Sequence, residues 1–307
     1  MSIRRRSLLG LGAAGAVGLS AGMLRPGQAL AGSTPTLPSA RQAPTEPFAI
    51  GWREYLWTRD GRQLTTHVYY PATGAAGGDP VRDAPIADGV FPVVEFSHGW
   101  GGNADSYDAQ VEPLAEAGFI VPSPSFPGTG SPQDVYYGNQ SKDVSQIITN
   151  TLALNDTPGD PFNGHLDTSV GVGASGHSLG GMTTHGLLTA WPDSRIAAAV
   201  PIACVDMGTP APEVSANVLF IHGDQDGTCP YSSARQAYDE LPTPKAFLTH
   251  LGQGHGEYLY RDAGTYPQTT NTMLDWFRWS LYGDTAARDR LTADATSPGT
   301  AWDSALA

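Results

Sequence analysis

The sequence predicts an α/β protein with a mostly parallel central sheet and helices on both of its faces. Short apolar runs rich in β-branched residues alternate along the chain with longer helix-like segments. The runs are too uniformly apolar to have one exposed face, which is typical of strands that are covered on both sides. About 240 to 260 residues are available to this fold, which is enough for one sizeable core.

The predicted order of strands and helices indicates where the functional side chains should lie. Predicted strands span residues 64–70, 93–96, 119–122, 169–174, 196–202, 217–221 and 245–250, and predicted helices span residues 105–117, 142–154, 179–190, 232–241 and 267–281. Ligands of such sheets bind at the carboxyl ends of the strands. We therefore expect the functional side chains directly after strands.

The first residues have the pattern of an export signal. Three arginines at positions 4–6 precede an apolar run rich in glycine and alanine, and Ala29-Leu30-Ala31 is typical of a cleavage site. We expect residues 1–31 to be a signal peptide of the twin-arginine type and residues 32–46 to be a flexible linker. Residues 47–285 would form the main domain and residues 286–307 a C-terminal tail. The protein would then be secreted, without stable insertion into a membrane.

Charge and motif content exclude several classes of protein. The formal net charge is −13, and removal of the arginine-containing leader would make it more negative. Such a surface repels phosphate backbones, so we expect no nucleic-acid partner. No C-x-x-C or H-E-x-x-H pattern occurs, and we expect neither a metal nor a cofactor.

A serine in a glycine-rich stretch is the first candidate for chemistry. Gly176-His177-Ser178-Leu179-Gly180 fits the pattern G-x-S-x-G, in which a serine nucleophile lies on a tight strand-to-helix turn. Glycines two residues before and after the serine suit such a turn because they carry no Cβ. In a chain with 37 glycines the match alone is weak. Residues 171–176 also match the dinucleotide pattern G-x-G-x-x-G, so other motifs have to decide.

A serine nucleophile needs a base and a residue that orients the base. His255 lies in a glycine-flanked loop beyond the last predicted strand, and we prefer it to His250, which we expect to be a strand residue. The sequence HGDQDG follows another strand. It offers Asp226 at the loop apex as the first candidate for the acid and Asp224 as the second. Asp206, which follows the preceding strand, is the third candidate.

A glycine-rich loop after an early strand is suited to binding an oxyanion. The residues 98–102, HGWGG, follow the predicted strand 93–96. In such sites one donor comes from this loop and one from the residue after the nucleophile, which here are the backbone N–H groups of Trp100 and Leu179. Ser178, Asp226 and His255 each follow a strand in this order, which favours a nucleophile over a dinucleotide site.

With these motifs the stretch FPVVEFSHGWGGN…VEPLAEAGFIVPSPSFPG resembles the α/β-hydrolase family. Its dienelactone-hydrolase-like branch includes platelet-activating-factor acetylhydrolases, chlorophyllases, and bacterial cutinases and polyester hydrolases. The resemblance covers residues 60–285, and DGTCP and MLDWFRWSLYGD are similar to the acid loop and closing helix of polyester hydrolases. It implies the α/β-hydrolase fold, with the triad and oxyanion donors at the positions named above. Leu179 departs from the methionine that polyester hydrolases usually carry.

We therefore expect a secreted, monomeric serine ester hydrolase, of the cutinase, polyester hydrolase or lipase and esterase type. Only twelve residues separate Cys204 from the strand at position 217, so no large cap domain or lid fits there and the cleft should be open. Trp100, Tyr136 and Tyr137 are expected to bind the apolar parts of the ester, which could be polymeric or lipid. The alternatives are a small-acyl esterase of the acetylhydrolase type, a secreted acyltransferase and a non-catalytic binding protein.

Two further features lead to structural expectations. Cys204 and Cys229 are the two cysteines, and an exported protein would pair them in a disulfide that also stiffens the acid loop. On the chain-entropy model this bond would stabilise the fold by roughly 3 kcal/mol. Glu95 lies inside an apolar strand, where it would need a partner or a route to solvent.

Overall fold

The main element of the structure is a mostly parallel six-stranded sheet with helices on both faces, which confirms the predicted α/β class. The computed structural model describes residues 42–306. The predicted signal peptide and most of the predicted linker lie outside the described residues.

Ten strands and seven α-helices are present in residues 42–306. The strands are β1 (Ala49–Arg59), β2 (Arg62–Ala72), β3 (Val81–Arg82), β4 (Val94–Ser97), β5 (Val121–Ser125), β6 (Val172–His177), β7 (Ile196–Ile202), β8 (Asn217–Gly223), β9 (Lys245–His250) and β10 (Thr300–Ala305). The helices are α1 (Asp108–Glu116), α2 (Pro132–Tyr136), α3 (Asn139–Ala153), α4 (Leu179–Gly186), α5 (Tyr231–Glu240), α6 (Tyr266–Phe277) and α7 (Thr285–Ala295). Short 3₁₀ turns cover Pro127–Thr129, Leu154–Asp156 and Glu257–Leu259, and a π-helical turn covers Arg278–Tyr282.

The two sheets meet at one edge. The six-stranded sheet has the order β10-β9-β8-β7-β6-β4, in which only β10 runs antiparallel to its neighbour. A smaller mixed sheet has the order β3-β1-β2-β5 and is built around the β1–β2 hairpin, which turns at Asp60 and Gly61 with positive φ at both. A single bridge between Val93 and Ile120 connects the two edges.

Alternate residues of the central strands face two separate cores. In β8, Leu219 and Ile221 belong to a core that also contains buried residues of α1, α6 and α7. Val218 and Phe220 face the other core, with buried residues of α3, α4 and α5. Because both faces of the strand are covered, its sequence is uniformly apolar, as predicted.

The C-terminal segment differs from the prediction. Residues 286–307 were expected to form a tail, but the described part contains most of α7 and the edge strand β10, which pairs with β9 from Thr300 to Ala305. Edge strands bury little apolar surface, so their sequence resembles a polar tail. The segments β1, β3 and α2 were also absent from the prediction.

Residues 203–216, between β7 and β8, contain no helix. The last residues of the predicted linker lie against the domain, where the Arg278 guanidinium donates a hydrogen bond of 2.9 Å to the Pro44 carbonyl oxygen. Within residues 42–306, no helix has the length and apolar content to cross a bilayer.

The predicted disulfide is wrong. Cys204 and Cys229 are both free and buried. Burial raises the pKa of the Cys229 thiol to about 12, with a contribution from the nearby Asp226 carboxylate, and burial also raises the pKa of Cys204. Both therefore pack as small apolar groups. An even number of cysteines does not establish the geometry that a disulfide needs.

Glu95 is fully buried on β4 and does not reach solvent. Its Oε1 accepts a hydrogen bond of 2.7 Å from the Ser97 hydroxyl, and its Oε2 has no partner among the described residues. Burial raises the pKa of Glu95 to about 8, although the Ser97 bond opposes this shift. The folded protein therefore holds this carboxyl neutral at pH 7.

The Glu95→Gln variant should change how stability depends on pH. The pKa of this carboxyl is near 4.3 in the unfolded chain and about 8 in the folded protein. Between these two pH values the folded wild type keeps a proton that the unfolded chain has released, so the stability of wild type falls as pH rises. The glutamine is neutral throughout, and the variant should gain about 1 kcal/mol of stability relative to wild type per pH unit in this window. Urea unfolding of both proteins between pH 5 and 8 measures this difference. Parallel pH profiles would contradict the buried, neutral carboxyl.

Candidate active site

Ser178 lies on a strained turn between β6 and α4. Its φ of 58° and ψ of −119° lie outside the regions that L-residues prefer, which costs on the order of 1–3 kcal/mol. Its N–H donates to the Ile202 carbonyl oxygen of β7 at 2.9 Å, which fixes the turn to the sheet. The hydroxyl therefore lies at the carboxyl edge of the sheet and at the N-terminus of α4.

The flanking glycines are required by close backbone packing. A Cβ on Gly180 would lie 2.0 Å from the Ser97 carbonyl oxygen of β4, and one on Gly176 would lie 2.6 Å from the Gly180 carbonyl carbon. The glycines of the competing dinucleotide pattern are used differently, since Gly173 and Gly176 lie within β6. No loop is left between these glycines to hold a phosphate, and the packing supports the nucleophile interpretation.

Ser178, His255 and Asp226 form one hydrogen-bonded chain. The Ser178 hydroxyl donates to His255 Nε2 at 2.8 Å. His255 Nδ1–H donates to Asp226 Oδ2, also at 2.8 Å. The Asp226 side chain is buried, whereas the His255 side chain is 27% exposed and faces the cleft.

The Asp226 carboxylate is held ionised by three donors besides His255. Its Oδ1 accepts the N–H groups of Thr228 and Cys229 at 2.8 Å each, and His222 Nε2–H lies 3.1 Å from Oδ2 and 3.0 Å from the Cys229 carbonyl oxygen. Burial alone would raise the pKa of Asp226, but these hydrogen bonds and the one from His255 hold it well below its usual range. A permanent negative charge therefore faces His255 Nδ1 and selects the tautomer whose Nε2 accepts from the serine.

His222 was not predicted to take part in the site. Its position at the end of β8, four residues before the acid, is the sequence signal that could have identified it.

The other candidates for base and acid have structural partners. His250 is fully buried, bonds to the Thr269 hydroxyl through Nε2 at 2.9 Å and stacks on Tyr258. Asp224 accepts the Gly252 N–H at 2.7 Å, and Asp206 accepts the Gly208 N–H at 2.9 Å. These carboxylates stabilise turns, and neither contacts His255.

The two expected oxyanion donors are free of protein acceptors. Among residues 42–306, neither the Trp100 N–H nor the Leu179 N–H donates to another protein atom. The loop that carries Trp100 is held by His98, whose Nδ1–H donates to the Gly99 carbonyl oxygen at 2.6 Å and whose Nε2 accepts the Phe126 N–H at 3.1 Å. His98 thus stabilises the conformation of this loop through hydrogen bonds to the backbone.

An open cleft of about 560 Å³ lies beside His255. Trp100, Tyr107 and Tyr260 form its aromatic lining, and the Trp100 and Tyr260 side chains are largely exposed. Asp108 and Glu257 are the carboxylates among its described lining residues, and no lysine or arginine lines it in residues 42–306.

Of the three residues expected to bind substrate, Trp100 lines this cleft. Tyr136 and Tyr137 are exposed on and after α2, and neither is among its described lining residues. Tyr107 and Tyr260 were not predicted. Tyr260 follows the base by five residues, whereas nothing in the local sequence distinguishes Tyr107.

No group of three or more His, Cys, Asp or Glu side chains in residues 42–306 is placed to hold a metal ion. A scan against models of known protein families found no match to this chain, and a search of curated proteins found none either. The chemistry of the site is therefore inferred from its geometry.

The Gly180→Ala variant should disrupt the turn at Ser178. The new Cβ overlaps the Ser97 carbonyl oxygen, so β4 and α4 have to separate. We expect the free energy of unfolding to fall by about 1–3 kcal/mol. Gly264→Ala is a matched control, because nothing lies within 4 Å of a Cβ there and its φ is not positive. Thermal unfolding of the two variants measures the effect, and equal melting temperatures would contradict the packing constraint.

Proposed function

We propose that this protein is a serine carboxylic-ester hydrolase with an α/β-hydrolase fold that acts through an acyl-enzyme. The observation that carries the proposal is the hydrogen-bonded chain from Asp226 through His255 to Ser178, with both links at 2.8 Å. Nucleophile, base and orienting acid are in hydrogen-bond contact, which is the arrangement that activates a serine. The strained turn at Ser178 supports the same interpretation.

The proposed reaction has two halves. Ser178 Oγ attacks the ester carbonyl carbon while His255 Nε2 takes the hydroxyl proton, and the carbonyl oxygen becomes an oxyanion near the N–H groups of Trp100 and Leu179. The intermediate expels the alcohol, which receives the proton from His255. Water then attacks the acyl-enzyme, His255 takes a proton from it and returns that proton to Ser178, and the carboxylic acid is released.

The open cleft favours hydrolysis of exposed or bulky esters. The segment 203–216 between β7 and β8 has no helix that would cover Ser178, and aromatic side chains at the cleft rim suit apolar ester chains. We propose a cutinase-like or polyester hydrolase-like activity, and we propose that the enzyme acts outside the cell on the basis of its N-terminal sequence pattern.

Hydrolysis of p-nitrophenyl esters from acetate to palmitate, followed by a polyester film, tests the proposed function. We expect activity on short and medium chains, with kcat/KM at least about a thousandfold lower in Ser178→Ala. Ser232→Ala, which changes an exposed serine on α5, is the matched control and should behave as wild type.

The outcomes separate the alternatives. Activity limited to the acetate would indicate a small-acyl esterase. Transfer of the acyl group from the acyl-enzyme to an added alcohol in preference to water would indicate an acyltransferase. A folded wild type that hydrolyses no ester and does not react with a fluorophosphonate would indicate a binding protein and contradict the proposed enzyme.

The carboxylates of the cleft predict a preference for uncharged acyl groups. Glu257 and Asp108 line the cleft, and no lysine or arginine of residues 42–306 lines it beside them. Backbone N–H groups in the loop that carries Glu257 lower the pKa of its carboxyl. An anionic acyl chain should therefore react on the order of five- to tenfold less efficiently than a neutral one of similar length, and less so at high salt.

Comparison of p-nitrophenyl butyrate with the mono-p-nitrophenyl ester of glutaric acid measures this preference. Glu257→Gln should narrow the ratio of the two kcat/KM values, whereas Glu213→Gln, at an exposed glutamate of the 203–216 segment, should not. A ratio that is the same in all three proteins would show that Glu257 does not select the acyl charge.

A further inference from the structure

A second hydrogen-bonded chain lies beside the triad and connects side chains outside the triad to the backbone of His255. The Gly99 N–H donates to the Tyr107 hydroxyl oxygen at 3.2 Å. Tyr107 Oη lies 2.8 Å from His177 Nδ1, and His177 Nε2 contacts the His255 carbonyl oxygen. The chain therefore runs from the loop after β4, through the residue before the nucleophile, to the backbone of the base.

The direction of every bond in this chain follows from the chemistry of its ends. A carbonyl oxygen only accepts, so His177 must carry its proton on Nε2 and donate it to His255. Nδ1 is then an acceptor, and the Tyr107 hydroxyl donates to it while accepting from Gly99. Each polar atom of the two side chains has a partner.

Burial supports this protonation pattern. It lowers the pKa of His177 to about 4, so the imidazole is neutral at pH 7. It raises the pKa of Tyr107 to about 12, so the hydroxyl keeps its proton. Neither group is suited to proton transfer in the proposed reaction, and neither contacts Ser178 Oγ.

Two glycines allow the chain to form. A Cβ on Gly99 would lie 2.8 Å from the Tyr107 hydroxyl oxygen, and one on Gly256 would lie 3.1 Å from His177 Nε2. The His177 ring also packs against the rings of Tyr107 and His255, with centroid distances of 5.7 and 4.8 Å. The backbone at Gly99 and the backbone at His255 and Gly256 are thus close enough to hydrogen-bond to Tyr107 and His177.

We propose that Tyr107 and His177 are positioning residues that hold the oxyanion loop and the base loop in register around Ser178. The proposal rests on the proposed function. Gly99 directly precedes the oxyanion donor Trp100, and the His255 carbonyl belongs to the base itself, so one chain sets the backbone position of both. In the transition state a small displacement of either loop lengthens bonds to the oxyanion or to the serine proton.

Four single substitutions and one double variant test this role. Tyr107→Phe removes the hydroxyl, and His177→Phe removes both ring nitrogens. His177→Gln retains an acceptor for Tyr107 and an N–H donor for the His255 carbonyl. Tyr70→Phe is the matched control, because it removes a buried hydroxyl bond to the Ala84 carbonyl far along the sequence from the triad.

With p-nitrophenyl butyrate we expect kcat to fall on the order of 10- to 100-fold in Tyr107→Phe and His177→Phe, with KM within about twofold of wild type. His177→Gln should recover most of this loss, and Tyr70→Phe should keep the wild-type kcat. The double variant of Tyr107→Phe with His177→Phe should be no slower than the slower single variant, because both changes break the same chain.

The proton that His255 shares with Asp226 gives a readout independent of turnover. Its downfield proton resonance should shift or broaden in Tyr107→Phe and His177→Phe and should return in His177→Gln. Wild-type kcat together with an unchanged resonance in both disruptive variants would overturn the positioning role. A wild type that hydrolyses no ester would instead contradict the proposed function, and the resonance would then decide the positioning role alone.

Discussion

The close packing of the Ser178 turn against β4 and β7 is the constraint on which the rest of the site depends. The Ser178 N–H bonds to Ile202, and Gly180 touches the Ser97 carbonyl so closely that no side chain fits between them. The turn can therefore take only one position relative to the sheet. The unfavourable φ of Ser178 persists because this packing holds the turn in place. The turn directs the Ser178 hydroxyl toward the carboxyl edge of the sheet, where the loops after β4, β8 and β9 begin.

A buried negative charge organises the other half of the site. Asp226 is stable as a carboxylate only because backbone N–H groups of its own loop and two imidazoles donate to it. The same loop carries Cys229, whose N–H is one of these donors and whose thiol packs inward. The acid loop is thus held by hydrogen bonds to a charge, which supplies the rigidity that a disulfide was expected to provide.

The cleft beside His255 is open to solvent. The segment between β7 and β8 crosses without a helix, and the exposed rings of Trp100 and Tyr260 lie at the rim beside His255. Carboxylates rather than cations line the described walls. An open cleft with aromatic and acidic side chains suits neutral esters attached to a larger body, and it would repel the carboxylate products that the proposed reaction releases.

The sequence by itself determined the class of the fold, five strands of the larger sheet, two strands of the smaller sheet and five helices, and it singled out Ser178 as the candidate nucleophile. Uniformly apolar strands and a glycine-flanked turn are properties of short segments, which is why the sequence shows them. It reduced the base to His255 or His250 and the acid to three aspartates. Only the tertiary structure brought His255 and Asp226 to Ser178, gave Asp224 and His250 structural partners, left both cysteines unpaired and placed β10 on the sheet edge. Only the tertiary structure shows that Tyr107 lies beside the site. Each of these depends on distances between residues far apart in the chain, which local pattern and propensity do not encode.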